Sequence, residues 1–265
     1  MPNPLPVPNK RNINIRRQSI YLLPNLFTLA ALFAGFYAIV QSMNKNFVPA
    51  AVAIFVAMVL DGLDGRVARM TKTQSAFGAE FDSLSDMVSF GVAPALVVYE
   101  WALRDFGKVG WMVAFVYCAG AALRLARFNT NLEVTDKRWF QGLPSPSAAA
   151  LVAGLVWICH EYADDLYILT GIMPWVALFL TLFAGLTMVS NVKFWSFKEI
   201  NMRKTVPFVA LLALMLLLML LVAKPPLVLF CMFIAYGFSG YVMWVWRFIG
   251  RGKPARLANH NRHDV

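Results

Sequence analysis

Apolar residues fill this chain in long unbroken runs, not in the short alternations that mark half-buried soluble helices and strands. A helix needs about 20 apolar residues to cross a bilayer. Eight runs approach that length: 20–41, 47–66, 83–103, 109–127, 146–161, 170–190, 205–223 and 226–247. The fifth is the shortest and has the least definite edges. Lipid admits only helices or closed barrels, and barrel strands alternate where these runs do not. The pattern therefore predicts an all-α, polytopic transmembrane bundle of about eight spans. Spans seven and eight carry almost no polar residue before Arg247, so they read as additions to a polar-lined core of six. The expected organisation is a tail at 1–19, a core at 20–190, added helices at 191–247 and a second tail at 248–265. MPNPLPVPNK at the start is proline-rich and reads as a disordered tail. No secretory signal is expected, because the first apolar run is nearly membrane length and lacks a small-residue cleavage site.

Composition agrees with a membrane protein. Hydrophobic residues make up 59% of the 265, only 14% are charged, and the mean hydropathy is +0.60. Soluble domains carry about 25% charge. A net charge of +10 might suggest nucleic acid, but no soluble basic domain is present to bind it, so no nucleic-acid partner is expected. Basic residues instead mark cytoplasmic loops that meet anionic membrane lipids. With the N-terminus placed inside, twenty of the 24 Lys and Arg fall on the cytoplasmic side, and only Lys45, Arg104, Lys108 and Lys224 fall opposite. That bias places both termini in the cytoplasm, with a bacterial inner membrane as the expected location. The acidic stretch EYADD at 161–165 then falls outside. Cys118, Cys159 and Cys231 stand alone in apolar runs and read as packing residues. His160, His260 and His263 form no metal-like cluster.

One stretch breaks the apolar pattern: DGLDGRVARMTKTQSAFGAEFDSLSD, residues 61–86. Asp61 and Asp64 are three apart at the end of the second span. Asp82 and Asp86 are four apart and expected at the start of the third. Residues three or four apart share a helix face, so a hairpin of the two spans brings all four carboxylates to one point at the cytoplasmic edge. Two carboxylates ~5 Å apart repel by roughly 3 kcal/mol at an effective dielectric of 20. Some must protonate or bind cations, and two divalent ions balance four negative charges. Oxygen-only ligation favours hard ions such as Mg²⁺ or Mn²⁺, and two such ions are a known device for displacement at phosphorus. The plainer reading, helix-end capping, suits one Asp better than four. Gly65, Ala68 and Gly78 leave room beside the carboxylates, and Arg69 stands about one turn beyond Asp64, where it could clamp a phosphate.

The spacing Asp61-x-x-Asp64-Gly65-x-x-Ala68-Arg69, eight residues, then Gly78-x-x-x-Asp82-x-x-x-Asp86 resembles the signature of the CDP-alcohol phosphotransferase family at every fixed position. The resemblance covers about 20–190. It implies transfer of a phosphatidyl group from CDP-diacylglycerol to an alcohol, with release of CMP. It also implies that Asp61, Asp64 and Asp82 hold metals, that Asp86 touches a metal and is the catalytic base, and that Gly65, Ala68, Arg69 and Gly78 line the CDP site. Asn25 and Thr28 resemble a first-helix segment flanking the nucleotide. A homodimer is implied as well.

SLSDMVSFGVAPA (83–95), RLARFN (124–129) and FQGLPSPSAAA (140–150) resemble the phosphatidylserine synthase branch, which implies L-serine as acceptor. Arg124 or Arg127 could hold its carboxylate; their plainer role is positive-inside anchoring. Ser85 and Ser89 share a face with Asp82 and Asp86 and are candidate acceptor contacts. Ser145 and Ser147 read as helix N-caps. Glycerol 3-phosphate or inositol phosphate is the alternative acceptor. A cation transporter is the alternative outside this chemistry, because intramembrane aspartates also mark ion paths, although transporters favour midplane sites on broken helices.

Overall fold

A computed structural model describes residues 10–71, 73, 75–130, 139–162, 171–195 and 208–250. The tail at 1–9, the tail from 251, Asp164 and Asp165, and Lys72, Lys137, Arg138, Lys198, Arg203 and Lys204 lie outside the described residues.

Among the described residues, eight helical stretches stand where eight apolar runs were expected. They are α1 (Lys10–Met43), α2 (Phe47–Thr71), a third stretch from Ala76 to Phe106, α5 (Lys108–Thr130), α6 (Ser145–Glu161), α7 (Met173–Val189), α8 (Phe208–Ala223) and α9 (Pro225–Gly250). The third stretch opens as α3 (Ala76–Asp86), widens to π-helix at Met87–Val92, returns to α-helix as α4 (Ala93–Val98), and ends in π and 3₁₀ turns. Five of the eight are long and apolar enough to cross a membrane unaided: Pro24–Met43, Phe47–Thr71, Ala76–Phe106, Lys108–Thr130 and Pro225–Trp246. The protein is an all-α membrane bundle. Among the described residues it adds an antiparallel pair, β1 (Trp139–Gln141) with β2 (Lys193–Trp195), in the register Trp139↔Trp195. Runs of three residues are too short to show a strand period, so the hydropathy pattern could not reveal them.

Three boundaries differ from the hydropathy reading. Helix α1 begins at Lys10, inside the expected tail, and contains Pro24. Helix α2 continues through Arg66 and Arg69 to Thr71, because backbone hydrogen bonding does not stop where hydrophobicity does. Its end is closed by Thr73 N–H donating to the Ala68 carbonyl at 3.1 Å. Helix α3 starts at Ala76, not near residue 83. Ser75 caps it by accepting from Gly78 N–H at 3.0 Å, which satisfies one otherwise orphan donor. Asp82 and Asp86 therefore sit in the second and third turns of a formed helix and not at its start.

The core is built from small side chains. Ala34, Ala38, Ala50, Ala53, Ala57, Ala93, Ala149 and Ala153 are buried where α1, α2, α4 and α6 meet. Small residues let helix backbones approach closely, which is how helices associate where no hydrophobic drive separates them from lipid. Helix α6 is the hub: every residue from Ala148 to Val156 is buried. Helix α8, by contrast, exposes nearly all its Leu, Met and Val side chains and rests chiefly on α9, as expected of a lipid-facing segment. The π segment is tied in by Tyr117, fully buried, whose hydroxyl donates to the Phe90 carbonyl at 2.9 Å.

Helices α5 and α7 cross backbone to backbone. A Cβ on Gly120 would lie 2.5 Å from the Gly185 carbonyl oxygen, whereas one on Gly62 would meet nothing within 4 Å. Gly120→Ala should therefore destabilise the protein by about 1–3 kcal/mol. Gly62→Ala should be neutral or slightly stabilising. Thermal unfolding midpoints in detergent check the contrast; equal midpoints would mean that the crossing adjusts freely.

Candidate active site

A stripe on α1 organises the site. Asn25, Thr28, Ala31 and Gly35 recur at three or four residues, so they line one face. Each touches the carboxylate-bearing helices. Asn25 Oδ1 lies against Gly78, where a Cβ would sit 3.3 Å from it. Thr28 Oγ1 donates to Asp64 Oδ2 at 2.7 Å, with a longer 3.2 Å contact to its own helix at the Pro24 carbonyl. Lower down, Ser85 donates to the Thr28 carbonyl and Ser89 to the Ala31 carbonyl, both at 3.1 Å. Gly35 admits Ser89: a Cβ there would be 2.6 Å from Ser89 Oγ and 2.7 Å from Ser89 Cα. Helix α1 thus clamps α2 and α3 at once.

The clamp converges the carboxylates. One oxygen each from Asp61, Asp64 and Asp82 lies within 4.8 Å of the others. Ligands on opposite sides of one ion at about 2.1–2.4 Å would be some 4.2–4.8 Å apart, so the three fit around a divalent cation. Asp64 is 5% exposed. Asp82 Oδ1 is buried and accepts no hydrogen bond, which leaves it a lone pair for a ligand. Asp86 joins through Asp61, and the two meet carboxyl to carboxyl, as Asp64 and Asp82 do. Such contacts between like-charged groups hold only with a shared proton or a cation. All donors are oxygens, the set that suits Mg²⁺, Mn²⁺ or Ca²⁺.

The residues around the cluster separate into two groups. Gly65 and Ala68 are half-buried and Arg69 is exposed on the next turn of α2. Arg69 acts electrostatically on Asp64. On the other side Arg124 of α5 lies within electrostatic reach of Asp86 and Asp61, yet no ion pair closes between them. Among the described residues, ion pairs form at the opposite end of the bundle, where Lys45 and Arg104 hold Glu100 at 2.9 and 3.0 Å.

Four expectations need revision in geometry. Ser85 and Ser89 were expected to face an acceptor, but both are buried and donate into α1. Arg127 does not stand with Arg124. Its Nη1 donates to the Val189 carbonyl at 3.1 Å and to Asn191 Oδ1 at 3.2 Å, at the end of α7, where a cation meets the negative end of the helix. Ser145 was expected as an N-cap, but Pro144 holds that position without a side-chain cap. Ser145 is buried and accepts from Arg124 Nη1 at 2.6 Å. Asn129, which had not been singled out, bridges to α3 by donating Nδ2 to Ser83 Oγ at 3.0 Å. The Gly35 and Ser89 stripe could have been found from small residues at helical spacing; the Arg124–Ser145 contact joins different spans and left no local signal.

The model of the CDP-alcohol phosphatidyltransferase family matches residues 21–183. A Helicobacter pylori protein named CDP-diacylglycerol–serine O-phosphatidyltransferase is 37% identical over 227 residues, covering 85% of this chain and 92% of that one. Proteins of the same name from Mycobacterium tuberculosis and Saccharomyces cerevisiae are each 37% identical, over 160 and 153 residues, covering 58% and 52% of this chain and 54% and 55% of theirs. With the family's signature residues gathered on one face of the α2–α3 hairpin, the chain belongs to the CDP-alcohol phosphatidyltransferase family.

Proposed function

We propose that this protein transfers the phosphatidyl group of CDP-diacylglycerol to L-serine, yielding phosphatidylserine and CMP. The observation that carries the reading is the convergence of Asp61, Asp64 and Asp82 on one point, with Arg124 nearby, held by Ser145 and not closed onto a carboxylate. The serine assignment is supported by the name of the Helicobacter relative and by its length of match.

Asp61, Asp64 and Asp82, with Asp86 beside them, would hold two divalent ions, Mg²⁺ or Mn²⁺. Bound there, the ions would neutralise the diphosphate and stabilise the departing CMP. Asn25, Thr28, Gly65, Ala68, Arg69 and Gly78 border the side of the cluster that would take the nucleotide. Arg69 offers a guanidinium to phosphate oxygens. Asp86 takes the proton of serine's hydroxyl, which is a weak nucleophile at neutral pH. The serine oxygen forms the new bond to the phosphorus that carries diacylglycerol. The bond to CMP breaks, and its electron pair leaves with CMP. Arg124 makes one hydrogen bond among the described residues, to Ser145, so its remaining N–H groups can take serine's carboxylate and fix the hydroxyl against Asp86.

The proposal extends to architecture. Residues 20–190 form the catalytic core, 191–247 add helices, and both termini and the site face the cytoplasm, in a bacterial inner membrane. A homodimer follows from the family resemblance.

Purified enzyme with CDP-diacylglycerol and Mn²⁺ should release CMP with L-serine. Release with glycerol 3-phosphate or inositol phosphate and none with L-serine would overturn the acceptor while leaving phosphatidyl transfer in place. Asp86→Asn should lower kcat by about 10²-fold or more, the scale of a lost general base, with CDP-diacylglycerol binding kept. Arg124→Ala should raise the KM for serine and leave the KM for CDP-diacylglycerol unchanged.

Thr28→Val removes the hydrogen bond that orients Asp64. Mn²⁺ binding, read by paramagnetic resonance without substrate, should weaken by about tenfold. Unchanged affinity would mean that Asp64 needs no such support.

Orientation is tested by single cysteines in a background without Cys118, Cys159 and Cys231. An impermeant thiol reagent on intact cells should label Lys45→Cys and spare Met70→Cys; the reverse pattern would invert the topology.

A further inference from the structure

Arg124 and Arg127 stand three residues apart on α5 and meet opposite ends of helices. Arg127 closes on the Val189 carbonyl at the end of α7, where a helix is negative and a cation is stabilised. Arg124 meets the start of α6, the positive end, and donates Nη1 to Ser145 Oγ at 2.6 Å. Attraction to the helix end cannot hold a cation there. One short, charge-assisted hydrogen bond holds it instead.

The level of Arg124 follows from the contacts on either side of it. Tyr117 donates its hydroxyl to the Phe90 carbonyl at 2.9 Å. Ala121 lies against Gly91, where a Cβ would sit 3.2 Å from its own. Asn129 donates Nδ2 to Ser83 Oγ at 3.0 Å. Later residues of α5 thus meet earlier residues of the third stretch, and the two run antiparallel. Tyr117, Ala121 and Arg124 recur at four and three residues, so they share a face. Arg124 therefore stands between the Gly91 and Ser83 contacts, on the side of the stretch that carries Asp86. A cation so long and flexible at that level would close onto the carboxylate unless something else held it.

The chain around Ser145 is built as a rigid hold. Ser145 is fully buried. Just before it, Gly142 N–H donates to the Val192 carbonyl at 2.9 Å and Leu143 N–H to the Thr187 carbonyl at 3.2 Å. These bonds fasten the approach to α6 onto the end of α7 and the residue before β2. Gly142 has φ +78°, and a Cβ there would run into the Met188 carbonyl, so only glycine lets the chain pass. Pro144 and Pro146 flank Ser145 and restrict the backbone further.

We propose that Ser145 is a positioning residue for the acceptor: its fixed hydroxyl holds the Arg124 guanidinium off Asp86 with the remaining N–H groups open, and so raises the affinity for the acceptor's anionic group. The proposal rests on the reading of Arg124 as that group's anchor. A guanidinium already held in one orientation loses less freedom when the acceptor arrives. The effect therefore belongs to acceptor binding, not to the nucleotide or the chemical step.

The test uses the full-length enzyme with Ser145→Ala, which removes the oxygen, and Ser145→Cys, which keeps the volume and leaves only a weak acceptor. Each should raise the KM for L-serine by about three- to tenfold, the range for immobilising one long side chain. The kcat and the KM for CDP-diacylglycerol should stay within about twofold of wild type. In an Arg124→Ala background neither change should raise the KM for L-serine further, because both act through one guanidinium. Ser145→Cys behaving as wild type would reduce Ser145 to packing and overturn the proposal. A parallel rise in both KM values, or an effect that persists without Arg124, would overturn it too. Should Ser145→Ala not fold, Ser145→Cys decides alone. The underlying reading fails separately. Arg124→Ala with no effect on the KM for L-serine removes the anchor, whereas a rise with Arg124→Ala and none with either Ser145 variant removes this proposal alone. If wild type ignores L-serine, the same comparison is made on whichever of glycerol 3-phosphate or inositol phosphate releases CMP, both being anions that Arg124 would meet.

Discussion

Four carboxylates held at one point in an apolar bundle form the constraint on which the rest of the structure depends. Left alone they would drive α2 and α3 apart, since each close pair costs several kcal/mol at the edge of a low-dielectric medium. The bundle resists by binding both helices to a third. Thr28 holds Asp64, while Ser85 and Ser89 pin α3 to carbonyls of the same α1 stripe. Gly35 is what allows α1 and the π segment to come that close. The same forced proximity leaves Asp82 Oδ1 buried without a donor. That atom, costly in any structure meant only to stand, is the physical trace of a ligand that the fold expects.

Much of this was legible in the sequence, and the reason is lipid. A bilayer requires every span to be a long apolar helix, so eight runs gave eight helices with few choices left. The carboxylate site was legible for a related reason: polar residues are expensive there, and Asp61, Asp64, Asp82 and Asp86 lie close enough in sequence for helical spacing alone to gather them. Legibility ended where geometry became non-local. Serines three residues from an aspartate share its face only approximately, because three residues turn 300° and not 360°. That shortfall is enough to aim Ser85 and Ser89 at α1 and Asp82 and Asp86 at α2. Arg124 and Arg127, likewise three apart, diverge to Ser145 and to the end of α7. Helix boundaries failed for another reason: hydropathy reports the membrane, whereas α2 ends and α3 begins by capping around Thr73 and Ser75.

The site has two walls with different construction. The wall proposed for the nucleotide, α1 with the α2–α3 hairpin, is made of local sequence, small residues and short hydrogen bonds. It would recognise a diphosphate common to the whole family, and it lies inside the matched region. On the proposed reading, the acceptor would meet a second wall built from α5 and the start of α6, elements apart in the chain and braced by the short β1–β2 pair. Such a division would let the second wall vary while the first stays fixed, since a change at Ser145 touches no carboxylate contact that α1 makes.

That division also explains why hydropathy undervalued α9. A helix earns its place in a bundle either by burying small residues against its neighbours or by delivering one polar atom to a defined spot. Helix α8 does neither to any great extent and faces lipid on most sides. Helix α9 looks equally apolar in sequence, yet Gly240 against Phe194, Phe238 against Phe183 and Tyr241 against Thr187 fix its register. A register fixed at three points is more than lipid anchoring needs. It ties α9 to the end of α7 and to β2, and so to the frame that runs through β1 and Gly142 to Ser145, the residue that holds Arg124 off Asp86.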